Sequence, residues 1–218
     1  MNTVRDCCEE NDMKQNEKWL NWAVELQALA QTGLYYGGTV YDKERYARIR
    51  EIAAEMMAYQ SDTPMENVRD LFCNEDGYQT PKMETRAAIF KDDKILLVHE
   101  TGGGWVLPGG WVDVDCSIKE NTVKEVREEA GLEVTADIII AAQDRDQHNC
   151  RPYPWKVCKI FVLCHLLGGQ FQPNSETDDS GFFSMEDLPP LALNKNTPEQ
   201  IQMCFDAYHA DHWTTLFD

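Results

Sequence analysis

The sequence predicts an α/β sandwich preceded by a small N-terminal helical bundle. Two observations predict the sandwich. A capped amphipathic helix between residues 117 and 131 has strand-like segments on both sides, and a second capped helix closes the chain after residue 197. A third predicts the bundle: before residue 75, three segments keep helical spacing. The chain has 218 residues, 43% of them hydrophobic, which suits one sizeable domain and a small one. It divides into a helical domain at 1–74, a linker at 75–81 and an α/β domain with its closing helix at 82–218.

Residues 1–15 are polar and read as a frayed start. Trp19, Trp22, Ala23, Leu26, Leu29 and Ala30 then fall at helical spacing, and Gly33 is placed to end that helix. A second helix follows Asp42, with Tyr46, Ile49, Ala53, Met56 and Met57 on one face. A third starts at Thr63-Pro64-Met65-Glu66, a capping-box spacing with proline at the first helical position, and turns Val68, Leu71 and Phe72 inward. A bundle this small has a marginal core by itself. Its Trp and Met stripes therefore point to packing on the main domain or on a second copy, and a homodimer is expected through Trp19, Trp22 and Leu26.

After the linker NEDGYQTP (74–81), Glu84 to Phe90 reads as a strand, Lys91 to Lys94 as a hairpin turn and Ile95 to Val98 as its partner. Gly102-Gly103-Gly104 lacks the strand-to-helix context of a phosphate loop and reads as a turn before Trp105-Val106-Leu107. Ile138 to Ala142 and Val157 to Leu166 read as strands, the second nearly all apolar and hence central. Between them Asp144 to Trp155 is long and aromatic; it reads as a substrate-facing loop or as a plain surface excursion. Gly168-Gly169 reads as a hairpin turn, and Ser175 to Ser180 as an acidic loop before the strand Gly181 to Phe183. Thr197-Pro198-Glu199-Gln200 opens the closing helix, with Ile201, Cys204, Phe205 and Tyr208 inward.

The chemistry concentrates between Gly109 and Leu132. Ser117 and Glu120 have capping-box spacing, and Gly131 supplies the left-handed residue past the helix end. Val123, Val126 and Ala130 form one stripe, with Glu125, Glu128 and Glu129 opposite. Such a run costs a few tenths of a kcal/mol per like-charged i,i+4 pair, and on most helices it is a solvated acidic face. Here it follows Pro108-Gly109-Gly110, where backbone can approach a ligand closely. Hard oxygens converging from a helix and a loop suit Mg2+ or Mn2+.

Net charge is -18, which disfavours nucleic acid and anionic membranes as partners. It also repels a diphosphate, so a divalent metal becomes a physical requirement for phosphate chemistry. The eight cysteines show no zinc spacing and, with no signal peptide, read as reduced thiols of a cytoplasmic protein. No apolar run is long enough to span a bilayer.

The stretch from Gly110 through Lys124-Glu125-Val126-Arg127-Glu128-Glu129-Ala130-Gly131-Leu132 resembles the signature of the Nudix hydrolases, with two departures. Cys116 stands where the family has Glu, and Lys124 where it has Arg. The resemblance implies an α/β/α sandwich and metal-assisted hydrolysis of a diphosphate. It makes Glu128 and Glu129 metal ligands and Glu125 a further ligand or the group that deprotonates water. Lys124 would position Glu125, and a backbone carbonyl near Gly109 or Gly110 would complete the shell. Some members take their base from a later loop, where Glu176 is the candidate, with Asp178 and Asp179 as rivals. Arg86 could face the phosphates or lie at the surface.

Trp19-Leu20-Asn21-Trp22-Ala23, Tyr78 to Lys82 and Gly181 to Ser184 resemble the branch of CDP-choline pyrophosphatase-like enzymes, which tolerates a residue other than Glu at the position of Cys116. That branch implies hydrolysis of CDP-choline to CMP and phosphocholine, with ADP-ribose as the alternative substrate. Tyr153 and Trp155 could supply the aromatic face that quaternary ammonium favours. The rival class is a Nudix domain that binds a nucleotide without turnover.

Overall fold

β1 (Lys82–Lys91) pairs in parallel with one neighbour from Lys82 to Ile89 and carries a hairpin at Phe90 and Lys91. The computed structural model of the chain describes residues 3–61, 64–149, 153 and 155–218, with side chains at all of them except 3–17, 60, 61 and 71. It divides into two compact units, residues 1–81 with 151–155, and residues 82–150 with 156–218.

The first unit holds α1 (Thr3–Tyr36), α2 (Val40–Ser61) and α3 (Met65–Phe72) around Ala23, Ala53, Ala54, Met57, Val68 and Phe72. The polar start is helical from Thr3 on, not frayed. Gly33 does not end α1. A Cβ there would lie 2.4 Å from the Tyr46 ring, so the glycine lets an aromatic of α2 press against the helix, which runs three residues further. α2 begins at Val40, ahead of Asp42, because the Thr39 hydroxyl accepts the Asp42 N–H at 3.1 Å as a cap. α3 has Pro64 as its N-cap and no side-chain cap bond; Thr63, the expected cap, lies outside the described residues. Trp19 and Trp22 meet edge to face at 5.5 Å and stay 40% and 49% exposed.

In the second unit, β2 (Lys94–Glu100), β3 (Trp105–Val106), β4 (Leu132–Asp144), β5 (Val157–Gly169), β6 (Thr177–Phe183) and β7 (Leu216–Phe217) join β1 in the order β3-β2-β1-β5-β4-β7, with β6 beside β2. β5 is central, parallel to β1 and antiparallel to β4. The turn at Asp92 and Asp93 has both residues at positive φ, as a two-residue hairpin demands. One face of the sheet packs Ala87, Ile89, Val134 and Val162 on α4 (Ile118–Ala130) through Val126 and Ala130. The other packs Ala88, Phe90, Ile140 and Phe161 on α6 (Pro198–His209) through Ile201, Cys204 and Phe205.

Three expectations fail here, the first against a local signal and the other two because pairing partners are remote in sequence. β4 starts at Leu132, six residues before the expected strand, and its alternation of buried Leu132, Val134 and Ala136 with exposed Glu133, Thr135 and Asp137 was there to be read. Gly168 and Gly169 make no hairpin turn; they are the end of β5, paired with Glu133 and Leu132. Asp178 and Asp179 belong to β6, not to a loop, because β2 pairs with them. The segment after Asp144 forms the short helix α5 (Arg145–His148). Tyr208 is not inward but half-exposed, stacked on Phe90 at 4.1 Å. Among the described residues no helix is long and apolar enough to cross a membrane. Cys73, Cys116, Cys158, Cys164 and Cys204 are free thiols.

Candidate active site

The site is built where the segment after β3 doubles back along β1. Ala87 N–H donates to Pro108 O at 2.8 Å, Thr85 N–H to Gly110 O at 2.9 Å, and Val112 N–H to Met83 O at 3.0 Å. This antiparallel contact fixes Pro108-Gly109-Gly110 against the sheet. Gly109 has φ +144°, and a Cβ there would lie 2.0 Å from Thr85 O, so only glycine fits.

α4 starts on a full capping box: the Ser117 hydroxyl accepts Glu120 N–H at 3.2 Å, and Glu120 accepts Ser117 N–H at 2.9 Å. It stops at Gly131, φ +65°. Buried Asn121 ties its first turn to β1, donating to the Thr85 hydroxyl at 3.0 Å and accepting Asp113 N–H at 3.2 Å. Asn174 and Thr177 tie its last turn down: Asn174 donates to Glu128 O at 3.0 Å, and the Thr177 hydroxyl to Glu129 O at 2.6 Å.

The three glutamates are not all opposite the apolar stripe. At about 100° per residue, Glu129 sits about 60° from Val126 around the axis, beside the stripe. It is only 6% exposed and accepts the Gly109 N–H at 2.8 Å. Burial pushes its carboxyl up to about 7; the charges of Glu125 and Glu100 add to this, while Arg86 and the Gly109 N–H oppose it. Burial also raises the Glu125 carboxyl, against the pull of Lys124, with Glu128 and Glu176 adding to it. Gly110 lies directly against Glu125: a Cβ there would come within 2.9 Å of Oε2.

Lys124 Nζ joins the acidic groups, 3.1 Å from Asp113 Oδ2 and 3.2 Å from both Glu125 Oε1 and Glu128 Oε2. One cation therefore already bridges two of the proposed ligands. Glu125, Glu128, Glu129 and Gly110 O are hard-oxygen groups of the kind that would hold a divalent ion, with Lys124 as its competitor, but the three carboxylates are not drawn within 4.8 Å of one another. Asp113, Asp115 and Cys116 bring their ligand atoms within 4.8 Å of one another at the start of α4. Partial burial, then Asp115 and Asp113, raise the Cys116 thiol, so it is a protonated side chain where a carboxylate is usual.

Glu176 is exposed just before β6, close enough for its charge to act on Glu125. Asp178 is committed to His99 at 2.6 Å, and Asp179 to Ser180 N–H. Arg86 is buried, not at the surface: Nε donates to Glu84 at 2.5 Å and Nη1 to Leu107 O at 2.9 Å. Lys159 lies 3.8 Å beyond, on Glu84. The sequence marked neither Glu84 nor Lys159, since nothing in one strand reveals a partner on another. Tyr153 and Trp155, edge to face at 5.5 Å, belong to the first compact unit, whereas the carboxylates belong to the second.

Residues 17–72 match the UDP-X-like N-terminal oligomerisation domain, and residues 80–204, more than half the chain, match the NUDIX domain. The chain is 40% identical to "Putative ADP-ribose pyrophosphatase YjhB" of Bacillus subtilis, over 94% of this chain and the whole of that one. A crystal structure of an ADP-ribose pyrophosphatase from Streptococcus suis is 60% identical, covering 64% of this chain and all of that one, with a TM-score of 0.60. A crystal structure of UDP-X diphosphatase is 32% identical over 92% of this chain and 98% of that one, also with a TM-score of 0.60. A matching domain model over the residues that carry the carboxylate helix, together with a full-length relative, establishes that the chain belongs to the Nudix hydrolase family.

Proposed function

We propose that the chain hydrolyses the diphosphate of a nucleoside diphosphate linked to a second moiety, with Mg2+ or Mn2+. The observation that carries this is the placing of Glu129 on Gly109 and of Glu125 against Gly110, with Lys124 between Glu125 and Glu128. A divalent metal held there would supply charge neutralisation for the attack of water on phosphorus. Glu125, Glu128, Glu129 and Gly110 O would hold it; Lys124 orients Glu125, and Glu125 or Glu176 takes the water proton. Arg86 acts from below, through Leu107 and through its charge on Glu129. Retention of all three glutamates favours turnover over mere nucleotide sensing.

For the second moiety, CDP-choline and ADP-ribose stand about level. The stretches Trp19 to Ala23, Tyr78 to Lys82 and Gly181 to Ser184 resemble the CDP-choline pyrophosphatase-like branch, whereas the names of the relatives from Bacillus subtilis and Streptococcus suis favour ADP-ribose. Comparing kcat/KM for the two at fixed Mg2+ decides. A tenfold preference for ADP-ribose, about 1.4 kcal/mol, removes the choline reading.

The exposed Trp19 and Trp22, on a segment matching an oligomerisation domain, support a homodimer of this cytoplasmic-type enzyme. Sedimentation at micromolar concentration should show a dimer that Trp22→Glu shifts toward monomer; a wild-type monomer refutes it.

A further inference from the structure

The segment from Pro190 to Thr197 belongs to no helix or strand beyond a bridge from Leu191 to Trp105, yet it is held nearly residue by residue. Trp105 N–H donates to Pro190 O at 3.2 Å, Ala192 N–H to Trp105 O at 3.1 Å, and Leu107 N–H to Asn196 Oδ1 at 3.0 Å. From beneath, Asn149 Nδ2 reaches Leu193 O at 3.2 Å, Arg145 Nη2 reaches Asn194 O at 2.9 Å, and Lys159 Nζ donates to Lys195 O. Gln200 braces Asn149 Oδ1 at 3.2 Å and Gln143 Oε1 at 2.9 Å.

Lys159 has no exposed side-chain surface, and burial pushes its ammonium down to about 7. Its ammonium is shared by Asn149 Oδ1 at 3.1 Å, the Lys195 carbonyl and the Glu84 carboxylate at 3.8 Å. A surface loop could satisfy its carbonyls with water without a buried cation, so tying the backbone of residues 193–195 to this network reads as preorganisation of what the loop presents. That side chain is Lys195. It is 39% exposed and pairs with Glu100 of β2, whose charge reaches both Glu129 and Arg86.

The chief cations acting on Glu84, Glu125 and Glu129 are Arg86, Lys124, Lys159 and Lys195. Arg86 and Lys159 are buried on Glu84, and Lys124 spans Asp113, Glu125 and Glu128. Lys195 alone of the four combines an accessible side chain with a single carboxylate partner among the described ion pairs. A diphosphate entering among Glu100, Glu125, Glu128, Glu129 and Glu176 meets mostly like charge, and a divalent cation offsets only part of it.

We propose that Lys195 binds a phosphate of the substrate diphosphate, exchanging Glu100 for it, and that Lys159, Arg145 and Asn149 are positioning residues for the loop that presents it. This rests on the diphosphate reading of the site.

The test pairs steady-state kinetics on the better nucleotide substrate with calorimetric binding of inorganic pyrophosphate in the presence of Mn2+. Lys195→Met should raise KM and the pyrophosphate Kd about tenfold, about 1.4 kcal/mol. The kcat should change less than threefold and Mn2+ affinity without pyrophosphate not at all. Lys195→Arg should restore most of both losses. Lys159→Met should move KM the same way by a smaller factor, again with kcat little changed. An unchanged KM and Kd in Lys195→Met overturns the assignment, as does a loss in kcat with KM constant. If the wild type binds pyrophosphate through Lys195 but turns over no nucleoside diphosphate derivative, the hydrolase reading fails and the Lys195 site stands.

Discussion

Replacing Glu129 by Gln lowers kcat by at least two orders of magnitude, about 2.7 kcal/mol of barrier, while the fold persists. The amide oxygen can still accept the Gly109 N–H, so the loop keeps its contact with α4. What is lost is a negative charge, and the interior holds that charge reluctantly: burial pushes the carboxyl up to about 7. The sign of the pH effect follows. A carboxyl whose folded pKa is raised contributes stability below its unfolded value, and that contribution is lost as pH rises through the folded one. Metal-free wild type should therefore lose stability between about pH 4.5 and 7, and Glu129→Gln should lose less.

Metal binding must take the proton off, so Mn2+ affinity should fall below about pH 7, by up to about tenfold per unit for this group. Thermal melts in chelator across that range, with Mn2+ titrations at pH 6 and 8, measure both effects. Near-full metal-dependent turnover by Glu129→Gln would remove this residue from the metal site.

Gly109→Ala should damage both fold and activity, although it adds one methyl group. The new Cβ would lie 2.0 Å from Thr85 O, 2.8 Å from its carbonyl carbon and 3.0 Å from Arg86 Cα, all of them backbone of a buried strand. None of these can swing aside, and φ +144° is itself strained for alanine. The loop must leave β1 and break the Thr85–Gly110 and Ala87–Pro108 hydrogen bonds. Strain and lost bonds together should cost at least about 3 kcal/mol. In a chain this long that lowers the melting temperature by about 6 to 12 °C. Glu129 loses its N–H donor and Gly110 moves off Glu125, so turnover should fall even at temperatures where the variant is folded. A variant that melts within two degrees of wild type would show that the loop does not lie this close to β1.

The carboxylate helix was legible because its determinants are local. Ser117 and Glu120 are three residues apart, Gly131 follows the last turn, and the apolar stripe repeats within one helix. The Asp92–Asp93 hairpin and the Thr197–Gln200 cap were legible for the same reason. Gly33 misled because glycine marks both a helix end and a close helix contact, and only the Tyr46 ring distinguishes the two.

By itself, then, the sequence determined which residues could form the carboxylate helix, where that helix begins and stops, and that a glycine turn precedes it. Which of the glutamates is buried, and therefore poised near neutrality, was decided by contacts from far along the chain. Gly109 is 20 residues from Glu129, Thr177 is 48 residues from it, and the Lys159–Glu84–Arg86 chain crosses two strands. The physical reason is that a pKa and a hydrogen-bond partner are set by the low-dielectric surroundings that tertiary packing assembles. A helical period fixes only which way a side chain leaves its own axis.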